Sequence, residues 1–228
     1  DDKWSFVTDD IEALENSFEG KETSYGWSLA FGRFSDTQKI FALVEYVYPN
    51  TPAAAAGFKR GDMIYKMNGA DIVDANYIQL LTSTSLTCTY GQYVDDVGIT
   101  NEKTASMTAL ELNFNPVQFT NIIEHGGHKI GYLFYAQYIS NYNHSIDSVL
   151  QIFTENQITD LVIDLRYNPG GTIDAAQHLC SSIAPLSVVN EKNILVRFQW
   201  NDKYQAYWQS KNITDQLQVA FIDTVDQK

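Results

Sequence analysis

Positive charge is scarce in this sequence of 228 residues, which has 15 lysines and arginines against 28 aspartates and glutamates and a net charge of −13. A surface that binds nucleic acid needs clustered lysine and arginine to neutralise phosphates, and the sequence contains no such cluster. The same shortage argues against attraction to anionic membranes. We therefore expect no nucleic-acid partner, and the acidity itself contributes mainly to solubility.

Cysteine and histidine are also few. The two cysteines, Cys88 and Cys180, form no Cys-x-x-Cys pair, which excludes a zinc ribbon and a dithiol redox motif. We expect both to be buried free thiols. Of the four histidines, His125 and His128 flank a Gly-Gly pair that is typical of a turn. We therefore expect no metal site and no cofactor.

Long apolar runs are absent, since no stretch of about 18 apolar residues occurs, and we expect no membrane-spanning helix. The chain begins at Asp1 without a methionine or a signal peptide, and Asp226 to Lys228 carry no turn or cap signal, so we expect a segment cut from a longer protein.

Aromatic residues are abundant: 14 tyrosines, 12 phenylalanines and 4 tryptophans are typical of a folded globular chain. Nothing in the sequence indicates an oligomeric state.

The first part of the chain predicts a helical segment at residues 1–19 and a β-rich module at residues 20–115. Ile11, Leu14 and Phe18 have helical spacing, with Asp9 as the expected N-cap. Asn68-Gly69 is a strong signal for a tight hairpin. A second hairpin is expected between residues 87 and 112, with a polar loop at 95–103. The other predicted elements are strands from Trp27 to Phe31, Ile40 to Tyr48 and Met63 to Met67, and short helices at Thr51–Pro52 and from Tyr77 to Leu81.

The pattern changes near Pro116, and residues 116–127 are predicted to be an irregular boundary. From residue 128 to 228, strand and helix patterns alternate, which indicates βαβ crossovers with parallel pairing in at least part of a sheet. The expected fold class is therefore α+β or α/β, with the β-rich module followed by the first part of an α/β core. The predicted core strands are Ile130 to Tyr135, Leu161 to Leu165, Ile194 to Phe198 and Val219 to Ile222.

One stretch with chemical potential runs from Asp164 to Gly171 and reads Asp-Leu-Arg-Tyr-Asn-Pro-Gly-Gly. It is a buried strand that ends in a glycine turn and opens a helix. Backbone N–H groups at such a turn, with the partial positive charge of a helix N-terminus, can stabilise an oxyanion. Gly170 and Gly171, one or both, are the candidate donors. A plain strand-to-helix loop is the alternative for this pattern taken alone.

A second stretch runs from Tyr48 to Gly69 and includes Thr-Pro-Ala-Ala-Ala-Ala-Gly and Arg-Gly-Asp-Met-Ile. With the upstream run Tyr25, Gly26, Trp27, Ser28 and Leu29, it resembles a PDZ domain. The resemblance implies a Tyr25-Gly26-Trp27 loop that presents backbone N–H groups to a peptide's C-terminal carboxylate, with the peptide added as a strand beside residues 27–31. A plain β-hairpin module is the alternative.

The order of the two stretches, a PDZ-like module followed by Lys129 to Leu133 and then Asp164 to Gly171, resembles the C-terminal processing (tail-specific) serine peptidases over about residues 20 to 200. The resemblance implies an endopeptidase that binds unstructured polypeptide C-terminal tails and cleaves by acyl-enzyme chemistry. It also implies export to the periplasm or cell envelope of a bacterium. A non-catalytic peptide-binding protein of the same fold is the alternative.

Members of that family use a serine nucleophile, which lies in a turn of small residues, and a lysine base, which lies further along the chain. The serines after Gly171 are not in such a turn, and we interpret Thr104-Ala105-Ser106, which shares three letters with it, as a chance match in a β segment. We therefore assign no nucleophile and no base, and we expect this chain alone to be inactive.

Overall fold

The computed structural model describes residues 7–223. They divide into two compact units, one ending at Phe114 and the other beginning at Asn115. No helix among the described residues is long and apolar enough to cross a bilayer. Each unit has its own sheet and its own buried core, and each is described separately.

The first unit is built on a six-stranded sheet in which β2, β3, β4, β6 and β7 follow one another and β5 pairs with β4. β2 therefore lies at one edge of the sheet and β7 at the other. A separate antiparallel pair joins β1 to β8. The elements are α1 (Ile11–Phe18), β1 (Lys21–Ser24), β2 (Trp27–Arg33), β3 (Ile40–Val47), α2 (Pro52–Ala55), β4 (Met63–Met67), β5 (Ala70–Asp71), α3 (Tyr77–Leu81), β6 (Ser85–Val94), β7 (Gly98–Thr108) and β8 (Leu110–Asn113).

Local signals explain several of these boundaries. Thr51 caps α2 by accepting the Ala54 N–H, and Pro52 opens the helix, as predicted. Asn68 and Gly69 both adopt positive φ, 51° and 77°, which is the backbone that a two-residue hairpin turn between β4 and β5 requires.

Two predictions in this unit are wrong. The cap of α1 is Asp10, whose carboxylate accepts the Ala13 N–H at 2.8 Å, and not Asp9. The polar loop expected at residues 95–103 is instead a turn of three residues, 95–97, because the polar residues that follow it continue β7 along the exposed sheet edge. In the sequence, alternating polar residues at a sheet edge resemble a loop, although in the structure they pair as a strand.

The core of the first unit lies between the sheet and its short helices. The residues that form it share nearly complete burial: Val44, Ala53, Ile64, Met67, Ile72, Leu86 and Cys88 are all at most 1% exposed. Cys88 is a free thiol there, as predicted, and burial raises its pKa to about 12. Cys180, in the second unit, is also free but only half-buried.

The second unit contains a three-stranded sheet in the order β9, β10, β11, and a separate antiparallel pair of β12 and β13. A 3₁₀ turn at Ser140–Tyr142 precedes α4, and another at Thr214–Gln216 precedes β13. The elements are β9 (Val117–His125), β10 (His128–Tyr135), α4 (Asn143–Glu155), β11 (Asp160–Asp164), α5 (Ile173–Ile183), α6 (Leu186–Asn190), β12 (Ile194–Arg197), α7 (Asp202–Ser210) and β13 (Gln218–Ala220).

The irregular boundary predicted at residues 116–127 is wrong, because Val117–His125 is a nine-residue strand that pairs antiparallel with β10. His125 and His128 do flank a turn, in which Gly126 and Gly127 have φ of 59° and 84°. Val117 and Ile122 of β9 pack against the core, whereas Phe119 and Ile123 are exposed, so the strand lacks the apolar alternation that would have identified it.

β10 and β11 pair in parallel, with α4 as the crossover between them, so the expected βαβ unit is present. The predicted fold class, a β-rich PDZ-like module followed by an α/β layer, is confirmed. The core under this sheet consists of Leu133, Tyr135, Ile146, Val149, Phe153 and Leu179.

Truncation of Leu133 tests this core. Leu133 is fully buried at the centre of β10. We expect Leu133→Ala to lower the free energy of unfolding by about 2–5 kcal/mol, since the lost transfer free energy adds to the cost of a cavity. Val162→Ala on β11 is the matched control, because Val162 is 44% exposed and should change stability by less than about 1 kcal/mol. Urea unfolding followed by the NMR signals of the second unit measures both, and equal losses would contradict the assignment of the core.

Candidate active-site loop and tail-binding groove

The loop after β11 is held by the side chain of Asn168. Its amide Nδ2 donates to the carbonyl oxygen of Tyr135 at 3.0 Å, which ties the loop to the end of β10. Its Oδ1 accepts the N–H of Gly170 at 2.9 Å. One amide side chain therefore fixes both the position of the loop and the direction of its first glycine.

Gly171 docks directly on a backbone segment that follows β10. Tyr138 N–H donates to Gly170 O at 2.9 Å, and Thr172 N–H donates to Tyr138 O at 2.8 Å, which makes a short parallel bridge. Gly171 has a φ of +138°, and a Cβ added to it would lie 2.0 Å from Tyr138 O. Glycine is required here for close approach as well as for its backbone angle.

The two candidate oxyanion donors differ. The Gly170 N–H is already used by Asn168, whereas the Gly171 N–H donates to no atom among residues 7–223. Gly171 also lies directly before Thr172, the N-cap of α5. The partial positive charge of a helix N-terminus adds to the attraction of that N–H for an anion. Of the two predicted donors, Gly171 has the geometry of a free one.

Behind the loop, a buried carboxylate is compensated by an arginine. Asp164 ends β11 with a side chain that is 7% exposed, and the Arg166 guanidinium donates to both of its oxygens, at 2.6 to 3.1 Å. Tyr132 O–H donates to the same carboxylate at 2.5 Å. The Arg166 guanidinium first, and then the Tyr132 hydroxyl, hold the pKa of Asp164 well below its ordinary value. The positive charge of Arg166 is therefore paired with the carboxylate of Asp164.

The predicted carboxylate-binding loop sits on the cap of α2. Gly26 has a φ of +82°, and a Cβ added to it would lie 2.3 Å from the Thr51 side chain. Thr51 is buried, and its hydroxyl contacts the carbonyl oxygens of Tyr48 and Gly26. Tyr25 is fixed from the other side by its hydroxyl, which donates to Ser83 O, and by its own carbonyl, which accepts the Ala53 N–H. The loop is therefore held rigidly on both sides.

One of the loop's donors already has an acceptor. The Gly26 N–H donates to the Ser24 hydroxyl at 3.2 Å. A carboxylate would be the better acceptor there, because hydrogen bonds to an ionised group are stronger than bonds between neutral groups. The Ser24 hydroxyl is thus the present acceptor of this N–H.

A groove of about 760 Å³ continues from this loop between β2 and the end of α3. Its β2 wall is the unpaired edge of the sheet, so backbone groups are available for an added strand. The indole of Trp27 packs edge-on against Phe58, with ring centroids 5.1 Å apart, and so lies partly in the core. The apolar side chains that line the groove are Tyr25, Trp27, Leu29, Phe31, Leu81 and Ala109.

The structure thus brings together Tyr25, Gly26, Trp27, Ser28 and Leu29 along one groove, and Gly170 and Gly171 in one loop. Sequence reasoning missed the residues that support them: Thr51 under Gly26, and Tyr138 and Asn168 around Gly171. Thr51 was predicted at the start of α2, but the sequence carries no signal for its contact with Gly26. Tyr138 acts through its backbone, for which the sequence carries no signal.

Several of the described serines make structural hydrogen bonds. Ser106, in the chance match on β7, bonds to Thr87 across the sheet at 2.7 Å. After Gly171, Ser181 accepts the Ile222 N–H, and Ser182 and Ser210 donate to backbone carbonyls within their own helices. These contacts do not change the interpretation, and we assign no nucleophile among these serines.

Parts of the chain are similar to known proteins. Residues 129–218 match the model of peptidase family S41. The carboxy-terminal processing protease CtpB of Bacillus subtilis (strain 168) is 23% identical over 188 residues, which is 80% of this chain and 37% of that protein. A solved structure from Bacteroides fragilis NCTC 9343, assigned as an S41 protease, is 27% identical with a TM-score of 0.67, over 94% of this chain and 57% of that one. The chain therefore spans about half or less of the length of these relatives.

Substitution of the buried carboxylate tests the role of the Asp164–Arg166 pair. The folded state holds the pKa of Asp164 below its ordinary value of 3.8, so its stabilisation is fully present above about pH 4 and is lost as the pH falls further. We expect Asp164→Asn to cost about 1–3 kcal/mol at pH 7, and the difference from the parent chain to shrink below pH 4. Urea unfolding of the second unit at pH 3 and pH 7 measures this.

Asp160→Asn is the control, because Asp160 lies on the same strand with a largely exposed side chain. It should show a smaller loss at pH 7. A loss for Asp164→Asn that is the same at both pH values would contradict the pairing.

Proposed function

We propose that this chain, whose residues 129–218 match the model of peptidase family S41 and which is similar to a carboxy-terminal processing protease, forms the tail-binding module and the oxyanion loop of a serine-type endopeptidase. In this proposal the groove beside β2 holds the C-terminal tail of a polypeptide substrate, and the loop at Gly171 stabilises the reacting carbonyl in the active site.

The observation that carries the proposal is the free N–H of Gly171. In acyl transfer, the carbonyl oxygen of the scissile bond becomes an oxyanion, and donors that are fixed before the reaction stabilise it most. The Tyr138 bridge holds Gly171 without using its N–H, while Asn168 removes the Gly170 N–H from competition. We therefore assign the oxyanion contact to Gly171 and a supporting role to Gly170.

Tail recognition is supported by the groove. A strand-edge site supplies main-chain hydrogen bonds without demanding particular side chains, which suits an enzyme that reads many tails. The apolar lining favours tails with an apolar last residue, while the net charge of −13 disfavours acidic ones. Ser28 and Leu29 complete the proposed contact along β2.

The cellular location is proposed from the resemblance to the relatives. We propose that the protein works outside the cytoplasm, in the periplasm or at the cell envelope. We also propose that the nucleophile and base are supplied by residues other than those of this chain. Tail binding by the whole protein without any hydrolysis would favour the non-catalytic alternative instead.

Replacement of Gly171 tests the oxyanion assignment in the whole protein. We expect Gly171→Ala to lower kcat for a tail peptide by about 100- to 1000-fold, since the loss of one oxyanion donor has that effect and the added Cβ would displace the loop from Tyr138. KM should change little, because the tail module is built from other residues. Steady-state kinetics measures both.

Gly170→Ala is the matched control, because its added Cβ meets nothing within 4 Å and its N–H is already committed to Asn168. It should cost less activity than Gly171→Ala. Circular dichroism establishes that each variant is folded. A folded Gly171→Ala enzyme with the parent's kcat would remove Gly171 from the mechanism.

Titration of the present chain tests the groove. We expect an apolar-ended hexapeptide with a free carboxylate to bind with a Kd of about 10 µM to 1 mM, equivalent to about −4 to −7 kcal/mol. The C-terminally amidated peptide should bind more weakly, since it lacks the anion that the Tyr25–Trp27 loop receives. Isothermal titration or NMR shift mapping measures both. Equal binding of the two forms would show that the loop does not read the carboxylate.

A further inference from the structure

A β-bulge interrupts the pairing of β2 and β3 close to the carboxylate loop. Ser28 pairs with Tyr46 and the next residue, Leu29, pairs with Val44, so Glu45 is an extra residue on β3. A bulge of this kind commonly re-aims a side chain next to a functional site. Here the re-aimed side chain is a carboxylate beside the edge strand of the groove.

The side chain of Glu45 lies on the face of the sheet that points away from the core. Trp27 and Leu29 pack against the core, so Ser28 between them points the other way. The Ser28 hydroxyl donates to Glu45 Oε2 at 2.7 Å, which places the carboxylate on that outer face. Glu45 is therefore held directly beside β2, and it is not free to swing into solvent without losing this bond.

The charge of Glu45 is uncompensated. None of the salt bridges within residues 7–223 includes Glu45. Its partner Ser28 is neutral, so the hydrogen bond fixes the orientation of the carboxylate and leaves its charge in place. A cation brought to this position would find an oriented anion.

A tail bound in the groove would bring side chains to this position. With its carboxylate at Tyr25 to Trp27 and its backbone antiparallel to β2, the last residue points into the groove, and alternate residues point to the outer face. The outward residues nearest the end are the penultimate one and the fourth from the end. We propose that Glu45 selects tails that carry lysine or arginine at one of these two positions.

This inference rests on the tail-binding function proposed above and deepens it by naming a class of tail. The N–H groups of the loop attract the terminal carboxylate, while Glu45 disfavours further acidic residues near it. The pair lies at a rim open to water, so we expect a two- to fivefold effect on affinity, which is the range of exposed ion pairs, and a smaller effect in high salt.

The test uses the 228-residue chain and one apolar-ended hexapeptide, with alanine, lysine or glutamate at the penultimate or the fourth-last position. We expect lysine at one of the two positions to lower the Kd about two- to fivefold relative to alanine, and glutamate to raise it. The preference should vanish in Glu45→Gln, which keeps an acceptor for Ser28, and reverse in Glu45→Lys.

Glu102→Gln is the matched control, because it removes the same charge from β7, at the opposite edge of the sheet. It should leave the preference unchanged. Free-acid peptides that bind better than amidated ones but show no lysine preference would overturn the role of Glu45 and leave the groove intact. Equal binding of acid and amidated forms would instead count against the carboxylate loop. A lysine preference that survives Glu45→Gln would also overturn the assignment.

Discussion

The backbone bridge between Tyr138 and Gly171 is the contact on which the proposed chemistry depends. It joins the segment after β10 to the loop after β11, so two adjacent parallel strands set the position of the loop. The bridge uses Gly170 O and the Thr172 N–H, and the N–H of Gly171 has no acceptor among the described residues. Any side chain at position 171 would occupy the place of Tyr138 O. The same contact therefore requires glycine and frees the donor.

The proposed tail-binding loop is built on the same principle. Gly26 has positive φ and lies against Thr51 so closely that a Cβ could not be accommodated. Thr51 is at once the cap of α2 and the support of this loop, because its single hydroxyl faces the carbonyls of Tyr48 and Gly26 and the N–H of Ala54. In both loops a glycine is pressed onto a fixed neighbour, and backbone geometry rather than a charged side chain defines the site.

The sequence predicted the elements whose signals are local. The Thr51-Pro52 helix start, the Asn68-Gly69 hairpin and the helix Tyr77–Leu81 all depend on residues within a few positions of one another. The two glycine loops were also predicted, because both the turn and the family motif are contiguous. Each error has a physical cause. β9 and the start of β7 are edge strands with polar faces, so their pairing depends on partners that a local pattern does not contain.

The sequence could not show which residue in each loop has which role. Gly170 and Gly171 are the same residue type. They differ because the Asn168 side chain accepts the N–H of Gly170 and not that of Gly171. Likewise, Glu45 reads as one more polar residue in an alternating strand. Its place beside the groove results from a one-residue slip in the pairing of β2 and β3. Such a slip moves side chains between faces and is set by the whole sheet.

Charge explains why both sites rely on backbone donors. In a chain with a net charge of −13, a lysine or arginine near an anion site has carboxylates close at hand to pair with. Arg166, five residues before Gly171 in the sequence, is an example, since its guanidinium is paired with the buried Asp164. A backbone N–H cannot be neutralised in this way, because its dipole is fixed by the fold and carries no net charge. Amide donors on a rigid loop therefore keep their attraction for a carboxylate or an oxyanion in surroundings where a cationic side chain would lose it.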